Sequence, residues 1–107
     1  MSKFPTSREN IVLDIIFELM GESRINRSYD EYMEIASRLP PLKVLQHDVN
    51  ERLRTMAADG TAPYQICHFK KSDRYNRYEA YPTSVSLETV RSALTKAGMR
   101  KTRYRRK

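Results

Sequence analysis

The chain of 107 residues has little of several residue types that define protein classes. Its single cysteine, Cys67, excludes an internal disulfide, and it also excludes a cysteine-based zinc site, which usually takes four ligands. Three glycines and five prolines exclude collagen-like and low-complexity chains. The longest apolar run, residues 11–17, is interrupted by Asp14, so no segment approaches the roughly 20 apolar residues of a membrane span.

Residues suited to catalysis are also sparse. The two histidines, His47 and His68, fall on different predicted elements, and the chain has no Gly-rich phosphate loop, GxSxG or HExxH motif. The acids Asp30, Glu31 and Glu34 suit a helix N-terminus, where negative charge is favoured. We therefore expect no enzyme activity, no catalytic residue, no cofactor and no metal. The first eight residues lack the apolar core of a signal peptide, and we expect a cytoplasmic protein.

Charge is distributed unevenly along what the length indicates is a single domain. Residues 1–60 carry 8 Lys+Arg against 10 Asp+Glu, whereas residues 61–107 carry 12 against 3. The formal net charge of +7 therefore comes entirely from the second part of the chain. This asymmetry favours a polyanionic partner, nucleic acid above all, that contacts the second part.

Four helices are predicted from capping signals and apolar periodicity. Thr6 with Glu9, and Ser28 with Glu31, have the spacing of capping boxes that open a first helix and a second helix at 29–39. Apolar residues at three- and four-residue steps predict a third helix at 41–58, with Pro41 as its first residue, and a last helix at 85–97.

A hairpin is predicted between the last two helices. Residues 64–69 and 78–81 are rich in aromatic and β-branched types and flank a polar turn, which predicts a β-hairpin over 62–82. We expect Tyr64 and Tyr81 to pack as half-buried strand residues. The segment 99–107 holds six Lys/Arg and no acid, and we expect it to be disordered when free.

The order helix, helix, helix, hairpin, helix resembles the winged helix-turn-helix family of DNA-binding domains. The local match is the end of the third helix, residues 49–60, where basic and apolar residues alternate before an Asp59–Gly60 pair. The resemblance implies an α+β winged helix over residues 1–98: a three-helix core, a β-hairpin wing and a C-terminal helix. It also implies sequence-specific binding of double-stranded DNA by a small transcriptional regulator, nucleoid-associated, with helix 41–58 in the major groove and hairpin 62–82 as wing.

Three groups of side chains are candidates for nucleic-acid binding. The third helix offers base-reading donors: Lys43, Gln46, His47, Asn50 and Arg54. Asn50 and Arg54 are the strongest of these, because they lie one turn apart on one side. The hairpin tip offers Lys70, Lys71, Arg74, Tyr75 and Arg77, which suit phosphates or a narrow minor groove. The tail offers phosphate contacts from Arg100, Lys101, Arg103, Arg105 and Arg106.

Two other functions remain open on the sequence alone. One is an RNA- or single-strand-binding module that uses the hairpin aromatics and the tail. The other is a phage or mobile-element adaptor or inhibitor that engages a basic protein partner through an acidic face of the first two helices: Asp14, Glu18, Glu22, Asp30 and Glu34. A homodimer is also possible, with the last helix as its contact surface.

Overall fold

A computed structural model describes residues 4–71 and 78–99 of the chain. Four α-helices make up most of this part: α1 (Ser7–Leu19), α2 (Tyr29–Ala36), α3 (Leu42–Asp59) and α4 (Leu87–Lys96). A 3-10 turn, Tyr64–Ile66, leads into strand β1 (Cys67–Lys71), which pairs with β2 (Tyr78–Pro82). The candidates Arg74, Tyr75 and Arg77, the tail candidates from Arg100 onward and the expected disorder of residues 100–107 lie outside the described residues.

Both predicted capping boxes are confirmed and set the starts of α1 and α2. The Glu9 amide donates to Thr6 Oγ1 at 3.1 Å, and the Thr6 amide donates to Glu9 Oε1 at 2.9 Å. Ser28 and Glu31 repeat the arrangement at 3.2 and 2.8 Å. These bonds satisfy backbone donors that a helix N-terminus leaves unpaired, so the local sequence fixes each start.

The other helix bounds differ from prediction by a few residues. Pro41 precedes α3 as its N-cap and is not its first helical residue, and Gly60 closes α3 at a φ of 75°. Helix α2 ends at Ala36, short of the predicted residue 39. Ser86 caps α4 by accepting a hydrogen bond from the Thr89 amide at 3.1 Å, so α4 begins two residues later than predicted.

The hydrophobic core is assembled by the helices. Helix α1 contributes the largest share, and α3 and α4 pack against it, while α2 adds Ile35. The buried apolar side chains of α1, α3 and α4 are Val12, Leu13, Ile15, Ile16, Phe17, Leu45, Val49, Leu53, Val90, Ala93 and Leu94. Ile66, Val85 and Met99 close the core from the connecting segments. Met99, predicted as the first tail residue, is therefore part of the folded body.

The predicted α+β winged helix with a β-hairpin wing is wrong: the protein is mostly helical. An α+β fold requires a sheet that buries one face against helices. Here the two strands are five residues each, and of their described side chains Cys67 is half-buried while His68, Lys71 and Tyr81 are exposed. The helical core is thus closed without a strand residue among those described. The resemblance rested on the order of elements, which does not determine which of them form the core.

The first strand starts later than predicted, whereas the second starts at Tyr78 as predicted. Residues 64–66 form the 3-10 turn, with Pro63 as its N-cap, instead of the first half of a strand. The pairing is antiparallel, with Cys67 opposite Pro82, His68 opposite Tyr81 and Lys71 opposite Tyr78. This register places His68 and Tyr81 side by side across the two strands.

Candidate nucleic-acid interface

The predicted base-reading residues of α3 divide into two sets. Lys43, His47 and Arg54 are exposed, and their positions follow one side of the helix. Gln46 and Asn50 are half-buried and one turn apart, and both point their side-chain amides at the segment between β2 and α4. Of the five residues, only Lys43, His47 and Arg54 are exposed to solvent, where a ligand can reach them.

Asn50 pairs with the backbone of Val85, 35 residues further along the chain. Its Oδ1 accepts the Val85 amide at 2.8 Å, and its Nδ2 donates to the Val85 carbonyl at 3.2 Å. Gln46 Nε2 donates to the same carbonyl at 3.1 Å. Val85 is only 3% exposed, so its peptide groups need protein partners. The two amides therefore hold the β2–α4 connection against α3, and Gln46 Nε2, Asn50 Nδ2 and Asn50 Oδ1 are engaged inside the protein.

The exposed side of α3 is close to electrically balanced. Arg54 donates to the Glu51 carboxylate, and His47 Nε2 lies 3.9 Å from a Glu51 oxygen. Glu51 thus offsets the charge of Arg54, and Lys43 leaves this side with a small excess of positive charge. This side of the helix offers little net attraction for phosphate.

Ion pairs neutralise the acidic face predicted on the first two helices. Arg24 pairs with Asp14 at 2.9 Å, and Arg52 pairs with Glu18 at 2.9 Å. Arg38 bridges two acids at 3.0 Å each; its hydrogen bond to Glu34 is the main cause of its raised pKa, and its bond to Glu22 adds to it. Four of the five acids predicted to engage a basic protein therefore have an arginine partner within this body.

The excess of Lys and Arg falls in two segments of the sequence that the four helices do not include. Residues 4–69 and 78–99 hold nine Lys+Arg against twelve Asp+Glu. Residues 70–77 hold four Lys+Arg against one acid, and residues 100–107 hold six with none. Lys71, at the end of β1, is exposed; the Lys70 side chain is outside the described part of the chain. The sequence thus concentrates an excess of Lys and Arg in residues 70–77, the hairpin tip, and residues 100–107, the C-terminal segment.

An exposed aromatic pair on the hairpin was not among the predicted site residues. The ring centroids of His68 and Tyr81 are 6.0 Å apart, with 31° between the ring planes. His68 is exposed, and Tyr81 is 42% exposed. His68 Nδ1 lies 3.1 Å from Thr83 Oγ1, a contact that restrains the imidazole. Tyr64 is 72% exposed, so the prediction that it packs as a half-buried residue is wrong. Tyr81, for which the same was predicted, keeps 42% of its surface exposed.

Only the cross-strand register could have revealed this pair. Alternation along a strand separates Cys67 from His68, as the sequence predicts, but it does not say which residue of the second strand lies opposite. A shift of the pairing by one residue would place Ala80 beside His68 instead.

An open groove lies between the α2–α3 connection and the end of α4. It is lined by Ala36, Leu39, Pro40, Pro41, Leu42, Leu45, Leu94 and Met99. None of these side chains is an acid, a base or a nucleophile. Among the described residues, no group of three or more His, Cys, Asp or Glu could hold a metal ion.

Comparison with known proteins adds no assignment: no protein-family model, curated protein or solved structure matches this chain. In the described part of the chain, no helix is both long enough and apolar enough to cross a membrane.

Proposed function

We propose that this protein binds nucleic acid and holds the phosphate backbone through the basic residues of the hairpin tip and the C-terminal segment. The observation that supports this proposal is the uneven distribution of acidic and basic residues along the chain. The helical body has an excess of acids, many of them paired with arginines, while residues 70–77 and 100–107 together add ten Lys+Arg against one acid. Clustered cations of this kind neutralise phosphates and release counterions.

Phosphate contact is favoured over base reading by α3. Gln46 and Asn50 are engaged with Val85, and Arg54 is paired with Glu51. Lys43, His47 and Arg54 are the remaining exposed donors among the five predicted residues of this helix. Sequence-specific regulation of transcription from double-stranded DNA stays a prediction that rests on those three side chains.

The protein-adaptor alternative loses its main support. It needed an open acidic face on α1 and α2, and Asp14, Glu18, Glu22 and Glu34 are paired with arginines of the same chain. The side chains of Asp14, Glu18 and Glu34 remain 52–66% exposed, so a basic partner would have to share these carboxylates with the arginines.

The test is the affinity for a fluorescent 20-base-pair duplex, and for one of its strands, as a function of salt. Because each phosphate contact contributes ~0.9 to the slope of log affinity against log salt on duplex DNA, six contacts from the C-terminal segment contribute roughly 5. We expect a chain ending at Met99 to lose up to about this much of the slope.

A second variant, with serine at the four hairpin cations, isolates the other basic segment. Lys70→Ser, Lys71→Ser, Arg74→Ser and Arg77→Ser together are expected to remove up to about 3.6 of the slope. Lys43→Ser, on the exposed side of α3, serves as the control and is expected to change the slope by no more than about 1. Absence of binding to either probe at low salt would refute the proposed function.

A further inference from the structure

The His68–Tyr81 pair forms a small aromatic surface on the exposed hairpin. The rings belong to opposite strands, and their centroids are 6.0 Å apart. The Thr83 hydroxyl restrains the imidazole, so part of the conformational cost of ordering this surface is met before a ligand binds. Cross-strand aromatic pairs stabilise a hairpin, but a stabilising role alone does not require 42% of Tyr81 to remain open.

The position of the pair relative to the basic residues indicates what it contacts. The four Lys+Arg of residues 70–77 begin two residues beyond His68 in the sequence, and one of them, Lys71, is exposed at the end of β1, on the opposite face of the strand from His68. Proteins that bind single strands combine a cationic path for the backbone with aromatic rings on which bases stack. A base inside a duplex has both faces covered by its neighbours, so only an unpaired base can use such rings.

We propose that His68 and Tyr81 form a stacking site for an unpaired nucleobase, which makes single-stranded nucleic acid the preferred ligand of this protein. The inference rests on the proposed function, because the basic residues supply the phosphate contacts that bring a strand to the rings. In this arrangement the rings add affinity without reading a particular base, since every base has a π-face.

The test compares ligands with the same number of phosphates but different bases. The probes are a 12-nucleotide oligothymidylate, a 12-nucleotide abasic strand and a 12-base-pair duplex, each titrated with the full chain at the same salt concentrations. One stacked base corresponds to a tightening of between about fivefold and about 150-fold. We expect the oligothymidylate to bind more tightly than the abasic strand by a ratio in this range.

Variants of His68 and Tyr81 test whether these two rings cause the tighter binding of the oligothymidylate. His68→Val and Tyr81→Val remove a ring but keep a β-branched residue that suits a strand, and Tyr81→Phe keeps the ring. We expect each valine variant to lower the ratio and Tyr81→Phe to preserve it. Tyr29→Val is the matched control, because Tyr29 is a 71% exposed tyrosine on α2, outside the hairpin. The salt slope should be the same in all four variants, since the phosphate contacts are unchanged.

The outcomes separate this inference from the proposed function. Equal affinity of the full chain for the oligothymidylate and the abasic strand, or tighter binding of the duplex, overturns the stacking site while leaving the phosphate contacts intact. An unchanged ratio in both valine variants overturns it as well. Failure to bind all three probes overturns the proposed function itself. Thermal unfolding of each variant identifies any that loses its fold; if Tyr81→Val does, His68→Val decides the question.

Discussion

Replacing Asn50 with alanine tests whether α3 is a structural support or a base-reading helix. The substitution removes the acceptor of the Val85 amide at 2.8 Å and one of two donors to the Val85 carbonyl. Because Val85 is 3% exposed, the amide is left without a protein partner in a place that water reaches poorly. An unsatisfied buried donor costs about 1–3 kcal/mol. We expect Asn50→Ala to lower the free energy of unfolding by about this amount.

Gln46→Ala is the matched comparison, because it removes a donor from the same carbonyl and leaves the Asn50 pairing in place. Its expected cost is the net value of one hydrogen bond, about 0.5–1.5 kcal/mol. In the double variant the carbonyl loses both donors, so the loss should exceed the sum of the single losses by about 0.5 kcal/mol or more. Urea unfolding followed by far-UV circular dichroism measures all three values.

If Asn50→Ala does not lower the stability, Asn50 becomes a candidate for nucleic-acid binding again. Surface substitutions without a structural role change stability by less than about 0.5 kcal/mol. If Asn50→Ala stays within that limit and instead weakens binding to duplex DNA, the pairing with Val85 is not the role of Asn50. We expect the reverse: the stability of Asn50→Ala falls, and the affinity of the folded variant for nucleic acid is unchanged.

The remaining predictions concern the helical body. Burial tends to raise the pKa of Glu9, but hydrogen bonds from the Thr6 amide, Ser92 and Lys96 outweigh it and hold the pKa below its ordinary value. The stability that Glu9 contributes is therefore present above its unfolded-state pKa and is lost as the pH falls. We expect Glu9→Gln to reduce the loss of stability below about pH 5, measured by urea unfolding at several pH values. Leu45→Ala should lower the free energy of unfolding by about 2–5 kcal/mol, because Leu45 is 2% exposed. Val44→Ala, next to it on α3, should lower it by less than about 1 kcal/mol, because Val44 is 45% exposed. Equal losses would contradict the assignment of Leu45 to the core. Gly60→Ala should cost roughly 1 kcal/mol through its φ of 75° alone, since an added Cβ meets no atom within 4 Å, and an unchanged melting temperature would refute the left-handed cap.

Local features of the fold could be predicted from the sequence, because short-range contacts determine them. The Thr6–Glu9 and Ser28–Glu31 boxes are each closed within three residues, and both are present as predicted. The fold class depends on which elements bury their faces against one another, and the strand signal of residues 64–69 does not contain that information. Among the side chains that the structure describes, the core is formed by the helices and their connecting segments, and no strand residue belongs to it.

The sequence predicts where the basic residues of the candidate site are concentrated, but it does not predict which side chains are free to bind a ligand. The uneven distribution of Lys and Arg can be counted in the sequence. Asn50, in contrast, has the polarity and helical position of a base-reading residue, and only a contact across 35 residues shows that it binds Val85. The His68–Tyr81 pair likewise depends on the register of two strands, which alternation along one strand does not fix.

The central claim is that the basic residues outside the helical body hold the nucleic acid. Its most direct test is the salt dependence of affinity for the same oligonucleotide between 50 and 200 mM salt, measured by fluorescence anisotropy for the full chain and for the chain ending at Met99. We predict that the affinity of the full chain falls steeply with salt and that the slope of log affinity against log salt is shallower by several units for the shortened chain. Equal slopes for the two chains, or no binding at 50 mM salt, would contradict it.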